Sequence, residues 1–429
     1  MKHSDGILRI GGVGTGRIFQ WAHLKPYLRL LKRARLVGFF DLDPARAQEA
    51  RGKYAKTLEE YAAAHSDAAG DIRANLDELR VHESLDGLLE QCDVIDVCTT
   101  TRGRMPSVMA ALDRGVHSMV EKPMARTWLE CDRAQRAFVA RPDVCFQLND
   151  DNVFDPKYRL LHDLVAQGAV GRVQSVALTR GSRLDSTSVL KSQASALENG
   201  GGALMDYGSH ALAGVWYVLG THLRIVKVEA VKIAVRFPNR VLEGEPFLVE
   251  VDDDAHVGFL FEDPRSGSWV TVFLEATWCG AEIGLSEERE PGAGDGRGGP
   301  GGGYLRIQGD DGVILASEKD KIRIRHWDGG ETLVPLREYP GETISFEHEI
   351  ETFIDCVCAG EPPEIGLAFG SEIIAAIGAA YLSAIRKRAV TLDEFKAFSL
   401  GYVDQHGGEQ AEEAILADLL APYRRRAAQ

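Results

Sequence analysis

Leu8-Arg9-Ile10-Gly11-Gly12-Val13-Gly14-Thr15-Gly16-Arg17-Ile18-Phe19 is the stretch that decides the fold. An apolar strand runs into glycines and then into a helical pattern expected over Arg17–Lys32, which is the setting a dinucleotide fingerprint needs. Gly14 permits a tight turn. Gly16 lets the backbone amides that open the helix, at Arg17 and Ile18, come close to a pyrophosphate. Two registers stay open, Gly12-x-Gly14-x-x-Arg17 and Gly14-x-Gly16-x-x-Phe19, and both lack a third glycine. Taken alone, the pattern also describes an ordinary tight strand-to-helix turn.

Working outward, Phe39-Phe40-Asp41-Leu42-Asp43-Pro44 closes the next apolar run. A carboxylate at Asp41 can accept both ribose hydroxyls of an adenosine and would repel a 2′-phosphate. No arginine follows in the same turn, so NAD is expected and NADP is disfavoured. Asp43 before Pro44 reads as a helix N-cap. Strands are expected at Leu8–Gly12, Ala34–Phe40, Asp93–Thr99 and Val116–Val120. Helices are expected at Pro44–His65, Leu85–Gln91, Met105–Arg114 and Arg126–Ala140. That alternation predicts an α/β, doubly wound parallel sheet over residues 1–150, with Ala63–Leu79 as an insertion. Its crossovers leave a crevice at the carboxyl ends of the strands, where Thr99 and Thr100 would line a cofactor.

Beyond Asn152 the texture changes. Helices Pro156–Gln167 and Met205–Leu219 flank a strand at Arg172–Arg180. Long alternating strands then follow from Arg224 to about Leu336. Residues 151–392 are read as a second domain with an open, mostly antiparallel sheet, and 393–429 as a helical tail. Pro291–Gly303 holds eight glycines and two prolines and is expected to be a surface loop.

Composition removes whole classes of function. Lys+Arg 49 against Asp+Glu 64 over 429 residues gives a formal charge of −15, unsuited to a nucleic-acid partner whose phosphates need neutralising. Arg424–Arg426 reads as a solvated helix end. The longest apolar run noted is Ala211–Leu219, short of the roughly 18–20 residues that span a bilayer, so no membrane role is expected. The amino terminus lacks signal-peptide anatomy. Seven scattered cysteines without a C-x-x-C read as reduced thiols of a cytoplasmic protein. No metal site is expected.

Two further motifs carry chemistry. Val120-Glu121-Lys122-Pro123 follows a strand at the crevice, and Met205-Asp206-Tyr207-Gly208-Ser209-His210 follows the glycine run Gly200–Gly202. Asp206 and His210 are four apart, so on a helix they share a face. Together with the glycine turn, Asp41 and Val170-Gly171-Arg172-Val173, their order resembles the glucose–fructose oxidoreductase / inositol dehydrogenase / MocA family over roughly residues 7–390. The resemblance implies a Rossmann domain joined to an α/β domain with an open sheet, working as a homodimer or homotetramer. It matches Lys122 to the lysine of the Glu-Lys-Pro signature, and Asp206 and His210 to the Asp-x-x-x-His pair, as catalytic residues. Gly14, Gly16, Arg17, Ile18, Asp41, Thr99, Thr100, Glu121 and Lys122 are then expected around NAD.

The chemistry implied is hydride exchange between nicotinamide and a secondary hydroxyl or keto group of a sugar, cyclitol or glycoside. His210 can take the hydroxyl proton near neutral pH. Lys122 can stabilise the alkoxide, or serve as the base when neutral. Arg180, Arg183, Lys191, Gln193, Asn199 and Tyr207 are candidate substrate contacts. Two departures stand out: Thr99-Thr100-Thr101-Arg102-Gly103-Arg104 replaces a Pro-Asn…His pattern, and Asn152-Val153-Phe154 replaces Arg-Arg-Phe. The rival readings are a redox-assisted glycosidase or lyase on the same fold, and a non-catalytic NAD- or sugar-binding protein.

Overall fold

The computed structural model describes residues 6–181, 194–242, 244–279, 303–317, 320–336 and 343–427. The chain divides into two compact units: Met1–Ala125 with Cys131–Asp151 and Thr343–Gly370, and Arg126–Glu130 with Asn152–Glu342 and Ser371–Gln429.

The first unit is built on a six-stranded parallel sheet. Its strands are β1 (Leu8–Val13), β2 (Ala34–Phe40), β3 (Arg80–Val81), β4 (Val94–Val97), β5 (His117–Glu121) and β6 (Phe146–Asn149), in the order β3-β2-β1-β4-β5-β6. All residues of β1, β4 and β6 are buried, as expected of strands covered on both faces. Strand order reverses between β1 and β4, and such a switch point opens a crevice at the strand ends.

Three local expectations change or gain detail. The helix expected over Arg17–Lys32 is broken into a π turn, Phe19–His23, and a short helix, Tyr27–Leu30. Pro26 stands at the break, because its ring nitrogen cannot donate within a continuous helix. The insertion at 63–79 forms a helix, Ala69–Glu78, whose buried Asn75 donates to the Leu36 carbonyl at 2.8 Å and accepts from Tyr54 at 3.0 Å. The helix Ile344–Ala359, read from sequence as part of the second domain, belongs to the first unit. Ile350, Phe353 and Ile354 join its core, and Arg33 pairs with Glu351 and Asp355.

The second unit holds a nine-stranded sheet. Its strands are β7 (Val173–Gly181), β8 (Arg224–Ala234), β11 (Asp254–Glu262), β12 (Trp269–Thr277), β13 (Gly303–Gly309), β14 (Gly312–Leu315), β15 (Lys321–His326), β16 (Glu331–Pro335) and β17 (Val390–Thr391). Their order is β16-β15-β14-β13-β7-β12-β11-β8-β17, and only the β7–β12 pair is parallel. A separate hairpin pairs β9 (Asn239–Leu242) with β10 (Glu245–Leu248). The helix Ser209–Leu219 is buried along its whole length. Strands β11 and β12 alternate buried and exposed residues, leaving Trp269 and Phe273 about half exposed. The tail is helical, as expected. Its helices, Leu392–His406 and Gly408–Ala427, lie in the second unit, with Tyr423 edge-on to Tyr381 at 5.7 Å.

Leu367–Arg386 corrects the reading of Ala211–Leu219 as the longest apolar run. This 20-residue helix is long and apolar enough to cross a membrane by length and composition, and 72% of its most apolar window is buried in the fold. The Gly-rich loop expected at Pro291–Gly303 lies outside the described residues apart from its last glycine, which opens β13.

Candidate active site

The glycines of the two registers differ in their surroundings. β1 ends at Val13, and Gly14 turns the chain at φ +79°, where a Cβ would stand 2.5 Å from the Thr99 amide nitrogen. Gly16 has no atom within 4 Å of its Cβ position, so its backbone is open to approach. Phe19 occupies the place of the third glycine and is fully buried. Its ring would lie 2.3 Å from a Cβ on Gly12, so the strand supplies the small residue that the helix lacks. Arg17 is exposed, and Ile18 and Asp41 are half-buried. Asp41 accepts from the Thr15 amide at 2.8 Å and the Asp43 amide at 2.9 Å, which holds its carboxylate beside the turn with lone pairs to spare. Asp41→Ser is expected to raise KM for NAD several-fold and to admit NADP, measured by steady-state kinetics with each cofactor.

Glu121 ends β5, followed by the half-buried Lys122 and a cis Lys122–Pro123 peptide. The Lys122 amide donates to the Asn149 carbonyl at 3.0 Å, pinning the turn to β6. Arg104 is buried rather than turned to a ligand. Its guanidinium donates to the Thr99 carbonyl at 3.2 Å and to the Pro123 carbonyl, and so ties the Thr99–Thr100 loop to the Lys122 turn. Thr99 donates to the Thr100 carbonyl at 3.0 Å, while Thr100 and Arg102 are exposed.

Beneath this turn lies a buried ionisable cluster. His23 Nδ1 is 2.9 Å from Asp96 Oδ2, and Nε2 is 3.3 Å from Glu121 Oε1. Tyr27 donates to Asp96 at 2.8 Å, and Cys98 Sγ is 3.6 Å from both His23 Nδ1 and Asp96 Oδ1. Glu349, from the returning helix, is fully buried, and neither of its carboxyl oxygens has a hydrogen-bond partner among the described residues. Burial alone would pull His23 down, but Asp96 and Cys98 carry the imidazole well above its usual value. Burial, then Glu121, pushes the Glu349 carboxyl far up, with Asp151 and Asp150 adding to the effect and His23 opposing it.

Both raised values predict stability that declines as pH rises. The folded state keeps a proton on Glu349 that the unfolded chain releases above about 4.3, and one on His23 that it releases above about 6.5. Within each window the loss is about 1.4 kcal/mol per pH unit per group. Thermal unfolding of Glu349→Gln between pH 5 and 9 is therefore expected to show a shallower alkaline decline than the parent protein. Parallel slopes would contradict it.

In the second unit, Asp206 sits on a π turn, Leu204–Gly208, and His210 in the first turn of Ser209–Leu219. Both are buried. The widened turn rotates the four-residue spacing away from the single-face register of a plain α-helix, and such π turns are frequent at functional sites. The preceding glycines have separate causes. Gly200 is left-handed at φ +77°, Gly201 lies against the Tyr381 hydroxyl, and a Cβ on Gly202 would stand 1.8 Å from the Asp252 carbonyl oxygen. Fully buried Asp252 accepts from the Gly202 amide at 3.0 Å, the Leu204 amide at 2.9 Å and the Tyr381 hydroxyl at 2.5 Å. It caps the segment that carries Asp206 and His210.

Asn152 was legible only as a departure from a family pattern. Here it is buried and donates to the His210 carbonyl at 2.9 Å, while Arg180 donates to its Oδ1 at 3.2 Å. Asn199 is buried and donates to the Gly201 carbonyl at 2.9 Å, and Tyr207 is half-buried. Arg183, Lys191 and Gln193 lie outside the described residues. Donor atoms of His23, Asp96 and Cys98, of His23, Glu121 and Glu349, and of Asp254, His256 and Glu275 come within 4.8 Å of one another, close enough for a metal. Yet both ring nitrogens of His23 already face carboxylates, and the Lys232 ammonium lies 2.6 Å from Asp254. Ion pairing accounts for His23, Asp96, Glu121 and Asp254.

A doubly wound sheet with this glycine turn, in one chain with an open mixed-sheet unit, defines a dinucleotide-binding α/β protein of two units. Residues 8–148 match the oxidoreductase family with an NAD-binding Rossmann fold, and residues 158–285 match the GFO/IDH/MocA C-terminal domain. The chain belongs to the GFO/IDH/MocA oxidoreductase family. It is 30% identical over 167 residues to inositol 2-dehydrogenase of Burkholderia ambifaria (strain MC40-6), 38% of this chain and 43% of that one. The match thus spans less than half the length of that curated relative. Its fold is shared with an oxidoreductase domain protein from Kribbella flavida (TM-score 0.71, 19% identity, 90% of this chain and 99% of that one). It is shared too with levoglucosan dehydrogenase in complex with NADH and levoglucosan (TM-score 0.70, 19% identity, 90% and 99%).

Proposed function

We propose that the chain is an NAD-dependent dehydrogenase acting between a secondary hydroxyl and the corresponding keto group of a sugar, cyclitol or glycoside. The observation that carries the proposal is the Gly14–Gly16 turn in the same chain as the Lys122 turn and the buried Asp206-x-x-x-His210 pair. The names of the matched relatives, an inositol 2-dehydrogenase and a levoglucosan dehydrogenase bound to NADH, support a polyhydroxylated substrate.

The residues fit NAD. Gly14 makes a turn that a side chain would block, Gly16 leaves its backbone open, and Asp41 presents a fixed carboxylate at the end of β2. The amides of Arg17 and Ile18 would hold the pyrophosphate, Asp41 the adenosine ribose, and Thr99, Thr100 and Glu121 the wall beside it. NAD, when bound, supplies the hydride acceptor. Lys122 and His210 divide two tasks, removal of the hydroxyl proton and donation of a hydrogen bond to the alkoxide oxygen. Asp206 orients His210 or receives a neighbouring hydroxyl. Asn152, through the His210 carbonyl, keeps that helical turn in place.

Self-association as a homodimer or homotetramer is supported by exposed Val231 on β8 and exposed Trp269 and Phe273 on β12, the two strands that flank β11 in the open sheet. A cytoplasmic setting is supported by cysteines that form no disulfide among the described residues. The test is a panel of cyclitols, aldoses and glycosides with NAD, following the near-ultraviolet absorbance of reduced nicotinamide. Turnover of at least one is expected. Aryl-glycoside cleavage without net reduced cofactor would select the redox-assisted glycosidase instead.

A further inference from the structure

In the buried cluster around Glu121, the groups His23, Asp96, Cys98 and Glu349 are left unused by the chemistry proposed above. Four separate elements meet there: the π turn with His23, β4 with Asp96 (and Cys98 just after it), β5 with Glu121, and the returning helix with Glu349. His23, Asp96 and Glu349 are fully enclosed, and Glu121 is 5% exposed. Each ring nitrogen of His23 faces a carboxylate oxygen, at 2.9 and 3.3 Å. Carboxylates only accept, so both contacts are hydrogen bonds when both nitrogens carry protons, and the ring is then a cation. The Tyr27 hydroxyl donates to the same Asp96 oxygen, as an ionised Asp96 requires. One imidazolium between two carboxylates leaves one negative charge in an enclosed space. A third carboxylate ion there would have no counter-charge, which fits Glu349 as a neutral acid with orphaned oxygens.

We propose that His23 is a positioning residue for Lys122: clamped as a cation between Asp96 and Glu121, it fixes the Glu121 carboxylate and balances the charge on this residue next to Lys122 in the chain. The proposal rests on the dehydrogenase reading for the use made of Lys122, though the clamp itself does not. Glu121 precedes Lys122 directly, and the Lys122 amide is anchored to β6, so the carboxylate and the lysine share one rigid turn. The anionic Glu121 favours the charged lysine and the cationic His23 disfavours it.

The two charges predict opposite effects, which a merely structural role does not. The experiment titrates Lys122 by NMR in protein labelled with 13C-lysine, with the signal assigned by its loss in Lys122→Met. It compares the parent protein with His23→Gln and Glu121→Gln. His23→Gln keeps a hydrogen-bonding amide but removes the positive charge, and is expected to raise the Lys122 midpoint by about half to one pH unit. Glu121→Gln is expected to lower it by a similar amount. Shifts in the same direction, or none in either variant, would overturn the proposal. If His23→Gln does not fold, the 15N signals of the His23 ring in the parent protein decide. Both nitrogens are expected to stay protonated from pH 6 to 8, and ring titration at the ordinary histidine value of about 6.5 would overturn the clamp. Neither readout uses turnover, so a lack of polyol oxidation by the parent protein would remove the dehydrogenase reading without touching this result.

Discussion

Lys122→Met is expected to lower kcat by about 100- to 10,000-fold, the range that a positioned acid–base or alkoxide-stabilising group contributes. The substitution keeps a four-atom apolar stem and removes only the terminal ammonium, so a large loss reports the ammonium rather than packing. The loss should fall on kcat more than on the KM for NAD. The dinucleotide is expected to be held by amides at the Gly14–Ile18 turn, whereas the lysine interacts most strongly with charge that develops during reaction. His210→Asn should cost a similar factor. Which of the two variants flattens the acidic limb of the kcat/KM profile identifies the base. The double variant should be little worse than either single one, because groups that act as a unit are not additive. Full activity in Lys122→Met would remove the catalytic assignment.

Gly202→Ala is expected to be the most damaging single methyl in the second unit. The added carbon would stand 1.8 Å from the Asp252 carbonyl oxygen, and that contact is backbone on backbone. Relief requires moving the loop away from the carboxylate that caps the Gly202 and Leu204 amides. The cost is about 4 kcal/mol or more, the range reserved for core overpacking combined with lost buried hydrogen bonds. In calorimetry that corresponds to a fall in Tm of roughly 10 °C for a unit of this size. Gly16→Ala is the contrast, because nothing lies within 4 Å of its Cβ position. Its Tm should hold while its affinity for NAD falls, since the methyl fills the approach to the pyrophosphate. If both glycine variants unfolded alike, the division into a packing glycine and a binding glycine would be wrong.

The contrast between those glycines also shows what could be seen in the sequence. Parallel strands announce themselves through unbroken apolar runs, so β1, β2, β4 and β5 were legible, as was the capping role of Asp43, which accepts from the Ala45 amide at 3.1 Å. The four-residue β6 was not, because the buried amides Gln147 and Asn149 break its apolar run. The amphipathic pattern of Ile344–Ala359 identified a helix but could not say which core it faces. That choice is made by residues more than 300 positions away, such as Arg33. Gly200–Gly202 stood out as a motif, but the cause of its last glycine is Asp252, about fifty positions on, and no spacing rule links the two. The π turns at Phe19–His23 and Leu204–Gly208 are slips of one residue in hydrogen-bond register, decided by packing rather than propensity. Without the first of them, the pairing of His23 with Asp96 and Glu121 could not be anticipated.

The most direct test of the central claim is calorimetric titration of NAD into the parent protein and into Gly14→Val, with circular dichroism to check folding. Saturable binding by the parent protein, together with at least a tenfold weaker affinity in a folded Gly14→Val, is predicted, because the φ of +79° and the contact with Thr99 exclude a branched side chain from the turn. No binding by the parent protein, or equal binding by both, would contradict the account.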